Sequence, residues 1–209
     1  MKNKETSTQS FFYSNNENSI KNKIWSYLED SIKDRHSEFR TPVFITSNNN
    51  EPDGRIVVIR GADRHSLCLW FHADIRSSKV NILKTNPNAF LVFYDKKEKI
   101  QLRIKVECII NFKNNISKNA WQNTQQISRK CYLASLAPGT KLEKPGTSID
   151  EKFEAFEYSF EDSEMGEDNF CVVTCKISTI EWLYLSVKGH RRAKIDLNSK
   201  ENQFQWLVP

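Results

Sequence analysis

The sequence predicts a mainly β (α+β) protein in which a barrel-like antiparallel sheet carries flanking helices. Short β-prone runs recur along the chain, and the connections between them are too short for repeated βαβ crossovers. From Ile100 one run alternates cleanly. It places Ile100, Leu102, Ile104, Val106, Cys108 and Ile110 on one face and Gln101, Arg103, Lys105 and Glu107 on the other, as a strand covered on one side requires.

The elements follow in order. Ile20, Ile24, Leu28 and Ile32 recur at a spacing of four, with Trp25 and Tyr27 broadening the stripe, which predicts an opening amphipathic helix. Thr41 to Thr46 and Arg55 to Gly61 are β-prone runs around a polar loop, Asn48 to Gly54. Leu67 to Phe71 is a third strand. A helix follows through Leu83 and stops at Asn86-Pro87. Ala89 to Tyr94 is a fourth strand, and the alternating run from Ile100 is the fifth. Ser117 to Leu133 reads as helix with Ser117 as its cap. Residues about 137–169, with Pro138-Gly139, Pro145-Gly146 and an acidic stretch, read as an excursion from the core. Phe170 to Ile177, Glu181 to Val187 and Ala193 to Leu197 return to strand. The expected organisation is a polar N-terminal tail, 1–18, and a single domain, 19–209, that includes the excursion.

Composition narrows the class. A chain of 209 residues can bury a core without disulfides or metal. Its 11% aromatic and 38% hydrophobic content speaks against disorder. Five cysteines, without a Cys-x-x-Cys pair or zinc-ligand spacing, predict reduced thiols in a cytoplasmic protein and no metal site. No apolar run is long enough for a signal peptide or a membrane span. The formal charge of +5 suits anionic ligands and nucleic acid alike.

Four segments could carry chemistry. Arg55 and Arg60 flank Ile56, Val57, Val58 and Ile59, either as anion ligands or as solvated strand ends. In Phe71 to Lys79, a strand end delivers His72, Ala73, Ser77, Ser78 and Lys79 to a helix start, where amides, hydroxyls and a cation favour a phosphate; helix capping is the plainer reading. Gln101 offers an amide that both donates and accepts. Trp182, Lys188, His190 and Arg192 gather aromatic, cationic and imidazole groups, as a nucleic-acid patch also would. The dinucleotide glycine fingerprint and the phosphate-binding Gly-x-x-x-x-Gly-Lys loop are both missing, so side chains must hold any phosphate.

In this order, the segments resemble the pyridoxamine 5′-phosphate oxidase-like family of FMN-binding split barrels, from about Arg40 to Pro209. Phrases such as Arg60-Gly61-Ala62-Asp63, Lys99-Ile100-Gln101-Leu102-Arg103 and Gly189-His190-Arg191-Arg192-Ala193 resemble an oxidase-related subgroup. The resemblance implies an antiparallel split β-barrel with flanking helices, non-covalent FMN, and a homodimer with the cofactor pocket at the subunit interface. Arg55 and Lys79, with Ser77 and Ser78, would neutralise the FMN phosphate, and Ile56 to Ile59 and Arg60 would run along the cofactor. His72 and Ala73 would lie against the flavin, Gln101 would bond its polar edge, and Trp182 and Arg192 would complete the pocket.

The implied activity is an FMN-dependent oxidoreductase with His190 and Lys188 as the catalytic pair, acting on a small anionic or amine substrate with no nucleic-acid or membrane partner. The alternative is a non-catalytic flavin- or haem-binding, redox-sensing protein. Departures fall at Ser78, Ala73 and Lys188, where the family carries a basic residue, a threonine and an arginine; lysine cannot copy a bidentate arginine contact. Arg129, Tyr132 and Ser135 also fail to reproduce the spacing of the family's substrate-phosphate residues.

Overall fold

The computed structural model describes residues 16–155, 157–199 and 203–209. Most of the expected tail, residues 1–15, lies outside them. The first helix, α1 (Glu17–Asp30), begins inside that expected tail, capped by the Asn16 side chain on the Ser19 amide at 2.9 Å. Among the described residues nine strands follow: β1 (Val43–Asn48), β2 (Glu51–Ile56), β3 (Ile59–Asp63), β4 (Cys68–Asp74), β5 (Asn88–Asp95), β6 (Ile100–Asn111), β7 (Phe170–Tyr184), β8 (Arg191–Asp196) and β9 (Gln203–Leu207). They pair in the order β2-β1-β5-β6-β7-β4-β3, with β8 on β7 and β9 on β8. Helices α2 (Ser78–Thr85) and α3 (Asn115–Gln122) lie between strands.

The polar stretch expected as a loop is mostly strand. Asn49 and Asn50 alone make the turn, both in the left-handed region, which matches the twist that a two-residue hairpin demands. Glu51 to Ile56 then pairs along β1, from Asn48↔Glu51 to Val43↔Ile56. The run expected as one strand from Arg55 to Gly61 breaks between β2 and β3 at Val57 and Val58. Conversely, β7 is one strand of 15 residues where two were expected.

The chain forms two compact units. Among the described residues, one comprises 16–70, 88–107, 175–199 and 203–209; the other comprises 71–87, 108–155 and 157–174. In the first, Phe44, Leu91, Phe93, Leu102, Ile104 and Trp182 are wholly buried. Tyr27 stacks on Phe39 at 5.0 Å, and its hydroxyl donates to Glu98 at 3.0 Å. Burial and the Glu98 carboxylate push the Tyr27 hydroxyl pKa well up. Gly61 lies flat against Trp70: a Cβ there would sit 1.8 Å from the indole ring.

In the second unit Phe170 is the aromatic hub, with His72, Tyr132 and Trp121 ringed about it at 4.8, 5.0 and 5.1 Å. The helix expected from Ser117 to Leu133 is interrupted. Asn114 caps α3, Ser117 returns the bond in a capping box, and a separate short helix, α4 (Gln126–Arg129), follows. The last part of the excursion is tied to Arg129 through Phe160, Ser163 and Glu164. This guanidinium is 1% exposed, pairs with Glu164, and donates to the carbonyls of Trp121 at 2.9 Å and Thr124 at 3.0 Å. It also lies over the Trp121 and Phe160 rings. Among the described residues no helix is long and apolar enough to cross a membrane.

Candidate functional site

Of the expected phosphate-binding residues, Ser77, Ser78 and Lys79 lie in the second unit, at the step from β4 to α2, whereas Arg55 lies in the first. Asp74 is buried, and its carboxylate takes the Arg76 amide at 2.8 Å, Nε at 3.0 Å and Nη2 at 2.7 Å. The same guanidinium donates to the carbonyls of Ala134 and Ser135 at 3.0 and 3.2 Å. Arg76 is therefore a clamp, and its carboxylate partner holds it still more firmly protonated. The Ser77 hydroxyl donates to the Asp74 carbonyl at 2.7 Å and makes no capping bond to the helix. That leaves the first turn of α2 without a side-chain cap, with Ser78 exposed and Lys79 half-buried, an arrangement that favours an anion. Ala73 is buried, and its carbonyl accepts the Cys171 thiol at 3.3 Å.

In the first unit Gln101, Arg103, Glu181, Trp182, Leu183 and Arg192 line one cavity of about 130 Å³. Antiparallel pairing sets Leu183 opposite Arg192 on β8. Glu181 bridges the two arginines, accepting from Arg192 Nη2 at 2.7 Å and Arg103 Nη1 at 3.3 Å. The Trp182 ring is wholly buried, stacked on Tyr184 at 6.3 Å and edge-on to Trp206 at 6.4 Å. Sequence reasoning named Gln101, Trp182 and Arg192 but missed Glu181. Its place on the solvent side of an alternating strand was the available signal.

Arg55 is not brought to that cavity. It pairs with Phe44 across β1–β2, on the buried face, whereas Gln101 pairs with Tyr94 on the exposed face. Its guanidinium is occupied by Asp53, by the Thr46 hydroxyl at 2.8 Å and by the face of Phe44. Beyond it, Val57 and Ile59 are buried, Ile56 and Val58 are exposed, and Arg60 is half-buried.

Lys188 and His190 sit on the exposed loop between β7 and β8, which Gly189 turns at φ +114°. The Ser186 amide donates to His190 Nδ1 at 3.0 Å. In the neutral ring this assigns the proton to Nε2. Of the residues near the family's substrate-phosphate positions, Arg129 is committed to Glu164, Tyr132 packs edge-on to Phe170, and the Ser135 hydroxyl donates to the Ser148 carbonyl at 3.0 Å. Among the described residues, no group of three or more His, Cys, Asp or Glu is placed to hold a metal ion.

An antiparallel sheet of this kind, with flanking helices, is the fold of the FMN-binding split barrels. Residues 21–112 match the family model of the pyridoxamine 5′-phosphate oxidase FMN-binding domain. The likeness drawn from the sequence therefore holds, and FMN is the cofactor of the matched domain. A pyridoxine/pyridoxamine 5′-phosphate oxidase from Leptospira interrogans is 25% identical over 171 residues, covering 79% of this chain and 77% of the relative. Among solved structures, a pyridoxamine 5′-phosphate oxidase-related, FMN-binding protein from Nostoc punctiforme PCC 73102 superposes with a TM-score of 0.70 at 21% identity, over 90% of this chain and 96% of that one. PhzG from Burkholderia lata 383, in complex with tetrahydrophenazine-1-carboxylic acid, gives a TM-score of 0.68 at 14% identity over 90% and 91%. Both show a shared fold.

Each unit, taken by itself, carries groups of a kind that FMN needs. Gln101, Arg103 and Arg192 supply donors for the polar edge of a ring, and the α2 start supplies a hydroxyl and a cation for a phosphate. The cavity is smaller than the about 300–1,000 Å³ of pockets that enclose a ligand.

Proposed function

We propose that the chain is an FMN-dependent oxidoreductase that works as a homodimer, its cofactor pocket completed by the second subunit. The supporting observation is an uncovered apolar sheet face. Val43, Ile56, Phe90 and Tyr94 are 39, 68, 37 and 47% exposed, and the pairings Val43↔Ile56, Val43↔Val92 and Tyr94↔Gln101 put them on the side that carries Gln101. A contiguous exposed apolar patch beside a ligand site marks an interface.

Bound FMN supplies hydride acceptance. The chain's own residues do the rest. Gln101 donates to and accepts from the ring's polar edge, Arg192 faces the same cavity while Glu181 fixes its position, and Ser78 and Lys79 neutralise the phosphate. Arg55 contributes to that neutralisation only by exchanging Asp53 for the ligand. Lys188 attracts an anionic substrate group, and His190 exchanges a proton at Nε2. The substrate is a small amine or anion, of which a pyridoxamine phosphate is one candidate.

The test is an FMN titration with light scattering. Wild type is expected to be a dimer that takes up FMN, whereas Phe90→Asp is expected to be monomeric and to bind FMN at least tenfold more weakly. A Phe90→Asp monomer with undiminished FMN affinity overturns the shared pocket. The buried commitment of Arg129 favours a second reading, a flavin-binding protein without turnover. Bound flavin that no amine or pyridine nucleotide bleaches would select it.

A further inference from the structure

A second cavity, of about 200 Å³, lies in the first unit and shares no residue with the one at Gln101. Its floor is apolar: Ile24 and Trp25 from α1, Ile180 from β7 and Ile195 from β8 are all buried. Its rim is cationic, with Lys21 on α1 and Arg64 in the turn between β3 and β4. Arg64 is held by its far end, Nη1 to the Asn22 side chain at 3.2 Å and Nη2 to Glu29 at 3.5 Å. Among the described residues its Nε is buried and has no hydrogen-bond partner. A buried donor left unmatched costs about 1–3 kcal/mol, and the side chain that carries it lines this cavity.

The geometry points to a binding site for an amphipathic monoanion, with an apolar body on the Ile24–Trp25–Ile180–Ile195 floor and a carboxylate between Arg64 Nε and Lys21. The volume corresponds to roughly seven water-sized groups, at about 30 Å³ each. Water fits the floor poorly, because each molecule wants two to four polar partners. A carboxylate gains charge-assisted bonds at the rim. Among the described residues that line the cavity, Lys21 and Arg64 are charged and none is acidic, so a ligand amine would be disfavoured. A medium-chain fatty acid or a small aromatic carboxylate has this shape and charge.

The experiment is calorimetric titration of the full chain, with and without saturating FMN, using octanoate, octanol and octylamine as probes. Octanoate is expected to bind saturably at one site per chain, octanol about tenfold more weakly, and octylamine not at all, a tenfold step being about 1.4 kcal/mol. Arg64→Gln is expected to bring octanoate down to the octanol level while leaving octanol unchanged. Lys21→Gln, at a half-buried position on α1, provides the same reading should Arg64→Gln not fold. Leu197→Trp, at the cavity wall, is expected to block both probes. The proposal is overturned by the absence of saturable octanoate heat, by equal affinities for octanoate and octanol, by indifference to these substitutions, or by competition from FMN.

Discussion

At the scale of single residues, charge placement separates the groups free to meet a ligand from those consumed by the fold. Glu181 decides how Arg103 and Arg192 are presented. All three are partly exposed, so their ion pairs contribute within about 1 kcal/mol to stability. Glu181→Gln should therefore barely alter the urea midpoint, yet it should raise the flavin midpoint potential, because uncompensated positive charge favours the reduced, more anionic ring. An unchanged potential in spectroelectrochemical titration would place the flavin away from this cavity. Arg129 is the opposite case. Arg129→Met leaves the Trp121 and Thr124 carbonyls without their donor and the Glu164 carboxylate without its cation, for an expected loss of about 3 kcal/mol in urea unfolding.

The arginine also sets an acid limit. Hydrogen bonds from Arg129 and Trp121 hold the Glu164 carboxyl below its usual range. A depressed folded pKa contributes stability that is full above the unfolded value, about 4.3, and is lost as pH falls through the folded one. Glu164→Gln should therefore flatten the stability-against-pH curve below about pH 4.3. Thiol chemistry follows the same logic of burial. Desolvation pushes the Cys171 thiol up to about 12, while Cys131 is exposed. A thiol-reactive disulfide reagent should label Cys131 quickly and Cys171 only on unfolding. Of these residues, the sequence showed which could be charged but not which were taken. Arg55, Arg76 and Arg129 look alike as letters, and Asp53, Asp74 and Glu164 become their partners only through the shared face of one strand, a tight local turn and a tertiary fold respectively.

At the scale of elements, periodicity was readable wherever one face is covered. The alternation of β6 holds from Ile100 to Cys108, then slips: Asn111 takes the buried side, where its amide donates to the Thr174 hydroxyl at 3.0 Å. Ile110 is correspondingly half-exposed. The hairpin was misread because Pro52, Asp53 and Gly54 are turn formers by local preference, whereas pairing to β1 determines their conformation. Long-range pairing likewise carries β7 through Ser178 and Thr179 without a break. The close approach of β3 to β4 depends on Gly61. Gly61→Ala drives a methyl group into Trp70 and should cost about 1–3 kcal/mol, with partial recovery in Gly61→Ala/Trp70→Leu, both measured by chemical denaturation.

At the scale of the whole molecule, cofactor and assembly should be linked. If FMN binds only the dimer, its addition pulls monomers together, and the dimer dissociation constant should fall as FMN rises. Sedimentation at several FMN concentrations checks this; a constant that ignores FMN would separate the two. The ordered resemblance of Gln101, Trp182 and Arg192 to one family made the cofactor legible from the sequence. The uncovered face of Val43, Ile56, Phe90 and Tyr94 was not, since each residue is an unremarkable strand former until pairing puts them side by side.

The β1–β2 hairpin also bears on the protein's colloidal behaviour. β2 ends the strand order, and a terminal strand offers an unpaired ladder to any passing chain. Ser47↔Pro52 follows the turn-closing pair Asn48↔Glu51, so residue 52 occupies a non-hydrogen-bonded site whose missing amide faces outward. Proline at that site, between two carboxylates, denies a foreign strand both its donor and a neutral landing. The residues that disguised this segment as a loop are thus the ones that guard it against fibrous growth.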